Sequence, residues 1–87
     1  MKKTFIEVIG KYCRAFRLVE LELTLREVAE LTGSNDKALS SFEHGRANNI
    51  VHLVAYVLAC ETEEQKAMFY EGLDNVIKDY DNEGVGI

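Results

Sequence analysis

Residues 23–45 of this chain read LTLREVAELTGSNDKALSSFEHG. Thr24 followed three residues later by Glu27 is a capping-box pattern, which predicts that a helix begins here. Gly33 predicts that this helix ends in a left-handed turn. Asn35 predicts the cap of a second helix, which Gly45 ends. Two short helices joined by a tight glycine turn are typical of a helix-turn-helix.

Three further helices are predicted, one before this stretch and two after it. The first covers about residues 4–19, because apolar residues recur there at spacings of three and four. The fourth covers about residues 50–60 and is apolar around most of its circumference, so we expect it to be the central buried helix. The fifth begins near Thr62, where Thr62 and Gln65 form a second capping-box pattern.

The 87 residues include no proline and no alternating apolar run, which favours an all-α fold. We expect a compact five-helix bundle with a helix-turn-helix domain over residues 1–60, an amphipathic C-terminal helix over 61–80 and a flexible tail over 81–87. One apolar face of the last helix is the predicted seam of a homodimer, formed by Phe69, Leu73, Val76, Ile77 and Tyr80. The alternative is that this helix only packs against the rest of the domain.

Charge is unevenly distributed along the chain, which has a formal net charge of −5. Residues 1–46 carry eight basic and seven acidic side chains, whereas residues 47–87 carry two basic and eight acidic ones. Nucleic acid would repel the second part, so only the first part is suited to approach DNA.

Several classes of protein are disfavoured by the sequence. No apolar run approaches the roughly 20 residues of a transmembrane helix, and the polar residues after Lys2 and Lys3 do not form a signal peptide. We therefore expect a cytoplasmic protein with no membrane partner. Cys13 and Cys60 are expected to be reduced thiols that behave as small hydrophobes, since their spacing fits neither a zinc site nor a redox pair.

A wider set of landmarks accompanies the two-helix stretch. They are Ile9-Gly10, Arg17, Leu23-Thr24, Glu27-Val28-Ala29, Thr32-Gly33, Leu39-Ser40, Phe42-Glu43-His44-Gly45-Arg46 and Leu53-Val54-Ala55-Tyr56-Val57-Leu58. In these residues the chain resembles the Cro-repressor-like (Xre-type) helix-turn-helix family, which has the lambda-repressor-like DNA-binding fold. The match covers roughly residues 9–60, and its spacing is that of the family apart from one extra residue between Arg17 and Leu23.

The resemblance implies a transcriptional regulator of bacterial, phage or mobile-element type that binds double-stranded DNA as a homodimer. Arg17 and Glu43 match a pair that commonly forms a buried salt bridge. The third helix would enter the major groove, and the positions that usually face bases are Asp36, Lys37 and Ser41. The positions that match phosphate contacts are Thr24, His44, Arg46, Asn48 and Asn49.

Four positions depart from the family pattern. Leu25 and Asp36 each stand where glutamine is common, Ser41 stands where arginine or glutamine is common, and Ser34 replaces an apolar turn residue. Phosphate repels the carboxylate of Asp36, which could accept a hydrogen bond only from a base such as cytosine. An alternative is therefore an acidic interaction module, such as an antirepressor or an accessory subunit of a nucleoprotein complex, that does not itself bind DNA.

Catalysis and metal binding are not expected. Ser40 and His44 are four residues apart with Glu43 adjacent, which superficially offers a nucleophile, a base and an orienting carboxylate. Glu43 lies on a different helical face from the other two, however, and so small a helical domain offers little concave pocket. His44 and His52 have no histidine or cysteine at the spacing of metal ligands. We expect no enzyme activity, no cofactor and no metal.

Overall fold

Capping residues and turns define the helix ends in the computed structural model, which describes the backbone of residues 4–85 and the side chains of residues 4–82. The α-helices of this part of the chain are α1 (Phe5–Phe16), α2 (Leu25–Thr32), α3 (Asp36–Glu43), α4 (Ile50–Leu58) and α5 (Glu63–Val85). No strand occurs among these residues, so the all-α fold is confirmed. The predicted capping box at Thr24, the left-handed turn at Gly33 and the Asn35 cap are all present.

A π-helical turn, Arg17–Leu21, follows α1 directly. Its last residue precedes Glu22, which adopts the left-handed conformation at φ 53° and donates its N–H to the carbonyl of Arg17. A π-helical turn accommodates one residue more than an α-helical turn of the same rise. It lies in the segment between Arg17 and Leu23, where the resemblance noted above implies one extra residue.

The core is built from the inner faces of all five α-helices. The spacing predicts an apolar stripe of Phe5, Ile9, Cys13 and Phe16 along α1. Ile9, Cys13 and Phe16 are buried as predicted, whereas Phe5 is 38 % exposed. The other buried apolar residues are Val28, Ala29, Leu39, Phe42, Ala55, Tyr56, Ala59, Cys60 and Phe69. Both cysteines are free and buried, as expected, and burial raises the pKa of each thiol.

Close contact between α1 and the end of α3 depends on Gly10. A Cβ atom at this position would lie 2.3 Å from the carbonyl oxygen of Phe42 and 2.9 Å from that of Glu43. Neither atom belongs to a side chain that could rotate away. Glycine therefore lets the two helices meet backbone to backbone.

The prediction that α4 is the central buried helix is wrong. Only Ala55 and Tyr56 of this helix are buried, and its large apolar residues Ile50, Val51, Val54 and Leu58 are exposed. The reason is that α2 and α3 cover one side of α4, whereas α5 packs along α1. A groove of about 200 Å³ lies between the starts of α1 and α4 and the middle of α5.

The predicted dimer seam on α5 largely faces the chain's own core. Phe69 is fully buried, and Leu73 and Val76 pack against the core. Tyr80 contacts the ring of Phe5 at a centroid distance of 5.0 Å, and Ile77 lines the groove between helices. Most of the predicted seam is therefore used inside the chain, and Ile77, which is 44 % exposed, is the member that stays accessible.

A hydrogen bond also joins α5 to α1. The hydroxyl of Tyr12 donates to the carbonyl oxygen of Phe69 at 2.7 Å, and burial raises the pKa of Tyr12 to about 12.

The predicted tail over 81–87 is helical as far as Val85. The last two residues of that prediction lie outside the described residues.

Candidate nucleic-acid interface

A buried polar network lies beneath the surface that the sequence assigns to DNA. Arg17 donates from Nε to Glu43 Oε2 at 2.8 Å and from Nη2 to Glu43 Oε1 at 2.9 Å, which is a bidentate salt bridge. Both side chains are almost inaccessible to solvent. The buried pair that the resemblance implies is therefore present in the structure.

Two further groups complete this network. The hydroxyl of Tyr56 donates to Glu43 Oε2 at 2.7 Å, and Arg17 Nη1 donates to the carbonyl oxygen of Leu23 at 2.9 Å. The hydrogen bonds to Glu43 raise the pKa of Arg17, and burial together with the same carboxylate raises the pKa of Tyr56. Both groups therefore keep their protons at neutral pH.

This network ties together the segments that carry the predicted DNA contacts. Leu23 immediately precedes Thr24, the cap of α2. Glu43 is the last residue of α3, and Tyr56 lies in α4. One buried cluster thus fixes the start of α2, the end of α3 and the middle of α4 relative to the π-helical turn.

The three predicted base-facing residues lie on the outer side of α3. Asp36 and Lys37 are exposed in its first turn, and Ser41 is half-buried in its last turn. Asn35 Oδ1 accepts hydrogen bonds from the N–H groups of Lys37 at 2.8 Å and Ala38 at 3.3 Å. The backbone that carries Asp36 and Lys37 is thereby held in a regular first turn.

The predicted phosphate-contacting residues occupy two places. Thr24 is exposed at the start of α2, where its Oγ accepts from the N–H of Glu27 at 3.1 Å. The other four, His44, Arg46, Asn48 and Asn49, are exposed in the connection between α3 and α4.

Two of these side chains already make contacts that constrain what they can offer a phosphate. Asn49 Oδ1 caps α4 by accepting from the N–H of Val51 at 3.0 Å, and a carboxamide that accepts through oxygen can still donate through nitrogen. His44 Nδ1 lies 2.7 Å from the carbonyl oxygen of Ser40, so Nδ1 carries the ring hydrogen. Nε2 is then the ring nitrogen left to meet a phosphate.

The charge on this surface is mixed. Arg26 and Lys37 on α2 and α3, and Arg46 after α3, are exposed. Glu27, Glu30 and Asp36 on the same two helices are exposed as well. Leu25, the first departure from the family pattern, is half-buried and packs against the core. Its side chain therefore has a packing role.

The superficial catalytic set is not assembled. The ring of His44 bonds the backbone carbonyl of Ser40, and the carboxylate of Glu43 is held by Arg17 and Tyr56. Over the described residues there is no group of three or more histidine, cysteine or acidic side chains that could hold a metal ion. No helix in that part of the chain has the length and apolarity needed to cross a membrane.

The role of Tyr56 was missed in the sequence. Its residue type and its position in an apolar helix indicate packing, and only the tertiary arrangement brings its hydroxyl to Glu43. A cue did exist, because a buried tyrosine hydroxyl usually requires a hydrogen-bond partner.

In comparisons with known proteins, the chain matches no family model, no curated protein and no solved structure.

Proposed function

We propose that this protein is a small DNA-binding transcriptional regulator that places α3 in the major groove of double-stranded DNA. Asp36, Lys37 and Ser41 face the base edges in this proposal. The start of α2 and the α3–α4 connection lie along the phosphates.

The observation that carries this proposal is that the two sides of α3 have different environments. The inner side of α3 is fixed by Leu39, Phe42 and the bidentate pair of Glu43 with Arg17. The outer side supplies exposed polar residues that the core does not use. A well-packed helix with a free polar face, preceded by a second helix and a glycine turn, supports the proposal of a helix-turn-helix, the motif whose second helix enters the major groove.

Mixed surface charge sets the expected character of binding. Each phosphate neutralised by a basic side chain contributes a slope of about 0.9 to the dependence of log affinity on log salt. Lys37 and Arg46 are exposed cations at the proposed interface. We therefore expect a shallow salt dependence and a large contribution from hydrogen bonds to bases and phosphates.

The test is a fluorescence-anisotropy titration against duplexes enriched from a random pool, at about 50 and 200 mM salt. We expect an enriched sequence to bind and Arg46→Ala to weaken binding to all sequences alike, lowering the salt slope by about 0.9. Lys78→Ala is the matched control, because it removes one exposed positive charge from α5, where Lys78 pairs with Asp74. No enrichment and no binding at the lower salt would contradict the proposal.

A second candidate function is an interaction module that has lost DNA binding. Asp36 favours it, because this carboxylate is exposed at the first base-facing position of α3. The excess of acidic residues after residue 46 would suit the basic DNA-binding surface of another regulator. Asp36→Gln separates the two candidates: a gain of DNA affinity from none supports the interaction module, and little change in a protein that already binds supports the regulator.

A further inference from the structure

An exposed apolar stripe runs along α4. It consists of Ile50, Val51, Val54 and Leu58, which are 69, 60, 44 and 62 % exposed; we call them the α4 stripe. Ile50, Val54 and Leu58 follow one another at intervals of four residues, and Val51 precedes Val54 by three, so all four lie on one side of the helix. A contiguous exposed apolar surface on a small protein marks an interaction site.

Within the described residues 4–85, no other helix covers this surface. The apolar face of α5 packs against α1 through Phe69, Leu73 and Val76. Residues 50–60 contain no acidic or basic side chain apart from His52. A strongly charged partner therefore has nothing to pair with along the stripe itself.

We propose that the α4 stripe binds a second copy of this chain in antiparallel orientation, with a two-fold axis beside Val54. Ile50 and Leu58 lie four residues on either side of Val54. A two-fold operation brings Ile50 of one copy against Leu58 of the other, and Val54 against Val54. Self-complementarity of this kind is what a symmetric dimer interface requires.

Charge at the two ends of α4 selects the antiparallel arrangement. Arg46 is exposed just before the helix, and Glu61 is exposed just after it. In the antiparallel pair, Arg46 of each copy approaches Glu61 of the other, and the helix dipoles oppose each other. A parallel pair would instead place like charges together at both ends.

The size of the stripe fits the centre of an interface. Its four side chains expose a few hundred Å², whereas a standard interface takes about 800 Å² from each partner. Such interfaces have an apolar centre and a polar rim. The polar segments that flank α4, including Arg46 and Glu61, are placed to form that rim.

The test is the oligomeric state of the full chain, measured by sedimentation equilibrium without DNA. We expect a dimer at high micromolar concentration and a dimer dissociation constant at least about tenfold higher in Val54→Asp. The matched control is Val19→Asp, because Val19 is 70 % exposed and lies outside the stripe. Leu58→Asp provides a second variant if Val54→Asp does not fold, as judged by circular dichroism.

Charge reversal tests the orientation. Arg46→Glu and Glu61→Arg should each weaken the dimer, and the double variant should restore it. A monomeric wild type, or equal effects of Val54→Asp and Val19→Asp, would overturn the proposal. Failure of the double variant to rescue would overturn the antiparallel orientation. Because no DNA is present, these results do not depend on whether the protein binds DNA. Arg46 is also the proposed phosphate contact, so Val54→Asp, which leaves Arg46 in place, is the variant that separates loss of the dimer from loss of a phosphate contact.

Discussion

The two sides of α3 differ in how completely the rest of the molecule determines them. On the inner side, Glu43 receives hydrogen bonds from Arg17 and Tyr56, and Leu39 is fully buried. On the outer side, Asp36 and Lys37 are exposed. The inner side is needed for folding, whereas the outer side is not used by the core and is available to a partner.

This difference separates the consequences of substitution. Changes on the inner side should lower the free energy of unfolding. They should weaken the proposed DNA binding only because the fold is lost. Changes on the outer side should leave the free energy of unfolding nearly unchanged and should act on binding alone. The following substitutions test this separation, beginning with the largest expected effect.

Removing the charge of Glu43 should have the largest effect. We expect Glu43→Gln to lower the free energy of unfolding by about 3–5 kcal/mol, because it leaves the buried guanidinium of Arg17 without a counter-charge. Urea denaturation followed by circular dichroism measures this change. Glu30→Gln makes the same substitution on the exposed surface of α2 and should cost less than about 0.5 kcal/mol. Equal effects at the two positions would show that the buried pair does not stabilise the fold.

The backbone contact beneath α3 is the second target. Gly10→Ala should destabilise by about 1–3 kcal/mol or more, because its Cβ would lie 2.3 Å from the carbonyl oxygen of Phe42 and the helices must separate. Gly33→Ala is the matched substitution. Gly33 has φ 73° and open space around it, so only backbone strain of about 1 kcal/mol is expected. A larger loss at Gly33 than at Gly10 would contradict the close contact between α1 and α3.

Tyr56 should give a smaller effect that depends on pH. We expect Tyr56→Phe to cost about 1 kcal/mol near pH 8, because one hydrogen bond to Glu43 is lost. The pKa of Tyr56 is raised in the folded protein, so its contribution is fully present below the ordinary tyrosine pKa of about 10 and is lost as the pH rises above that value. The deficit of the variant should therefore shrink between about pH 10 and pH 11. A deficit that is constant across this range, measured by urea denaturation, would contradict the raised pKa.

The π-helical turn allows an unusual test. Deleting Val19, which is 70 % exposed, should convert the turn to α-helical geometry while Arg17 keeps its contact with Glu43. We expect the free energy of unfolding to change by less than about 1 kcal/mol. Deleting Ala15 instead removes a residue before Arg17 and should unfold the protein, because it rotates Arg17 away from Glu43. Thermal unfolding of the two deletions distinguishes these outcomes.

The sequence predicts local structure well in this chain because local residues determine it. Thr24, Gly33 and Asn35 act on the backbone within three residues of themselves, and each of them adopts the predicted role. The Arg17–Glu43 pair was also anticipated, but from the resemblance and not from the residues alone. The hydrogen bond from Tyr56 to Glu43 could be identified only in the folded structure, where α4 lies beside α3.

The burial of α4 and α5 shows where sequence patterns fail. The apolar character of α4 suggests a central helix, yet Ile50, Val51 and Leu58 are exposed because α5 packs along α1. The apolar face of α5 suggests a dimer seam, yet Phe69 is fully buried inside the chain. A periodic pattern indicates that a face is covered, but the choice among neighbouring helices depends on the whole arrangement. The predictions for Asp36, Lys37 and Ser41 as base-facing residues remain to be tested.

The outer side of α3 should show the smallest effect on stability and a clear effect on recognition. We expect Lys37→Ala to change the free energy of unfolding by less than about 0.5 kcal/mol, since Lys37 is exposed and its backbone N–H keeps its bond to Asn35. If Lys37 reads a base, the variant should lose about 1–3 kcal/mol of discrimination at one position of the enriched sequence, whereas Arg46→Ala should weaken all sequences equally. Parallel titrations against the enriched duplex and its single-base variants measure this. A Lys37→Ala variant that unfolds more easily would place this residue with the inner side, and uniform weakening would make it a phosphate contact.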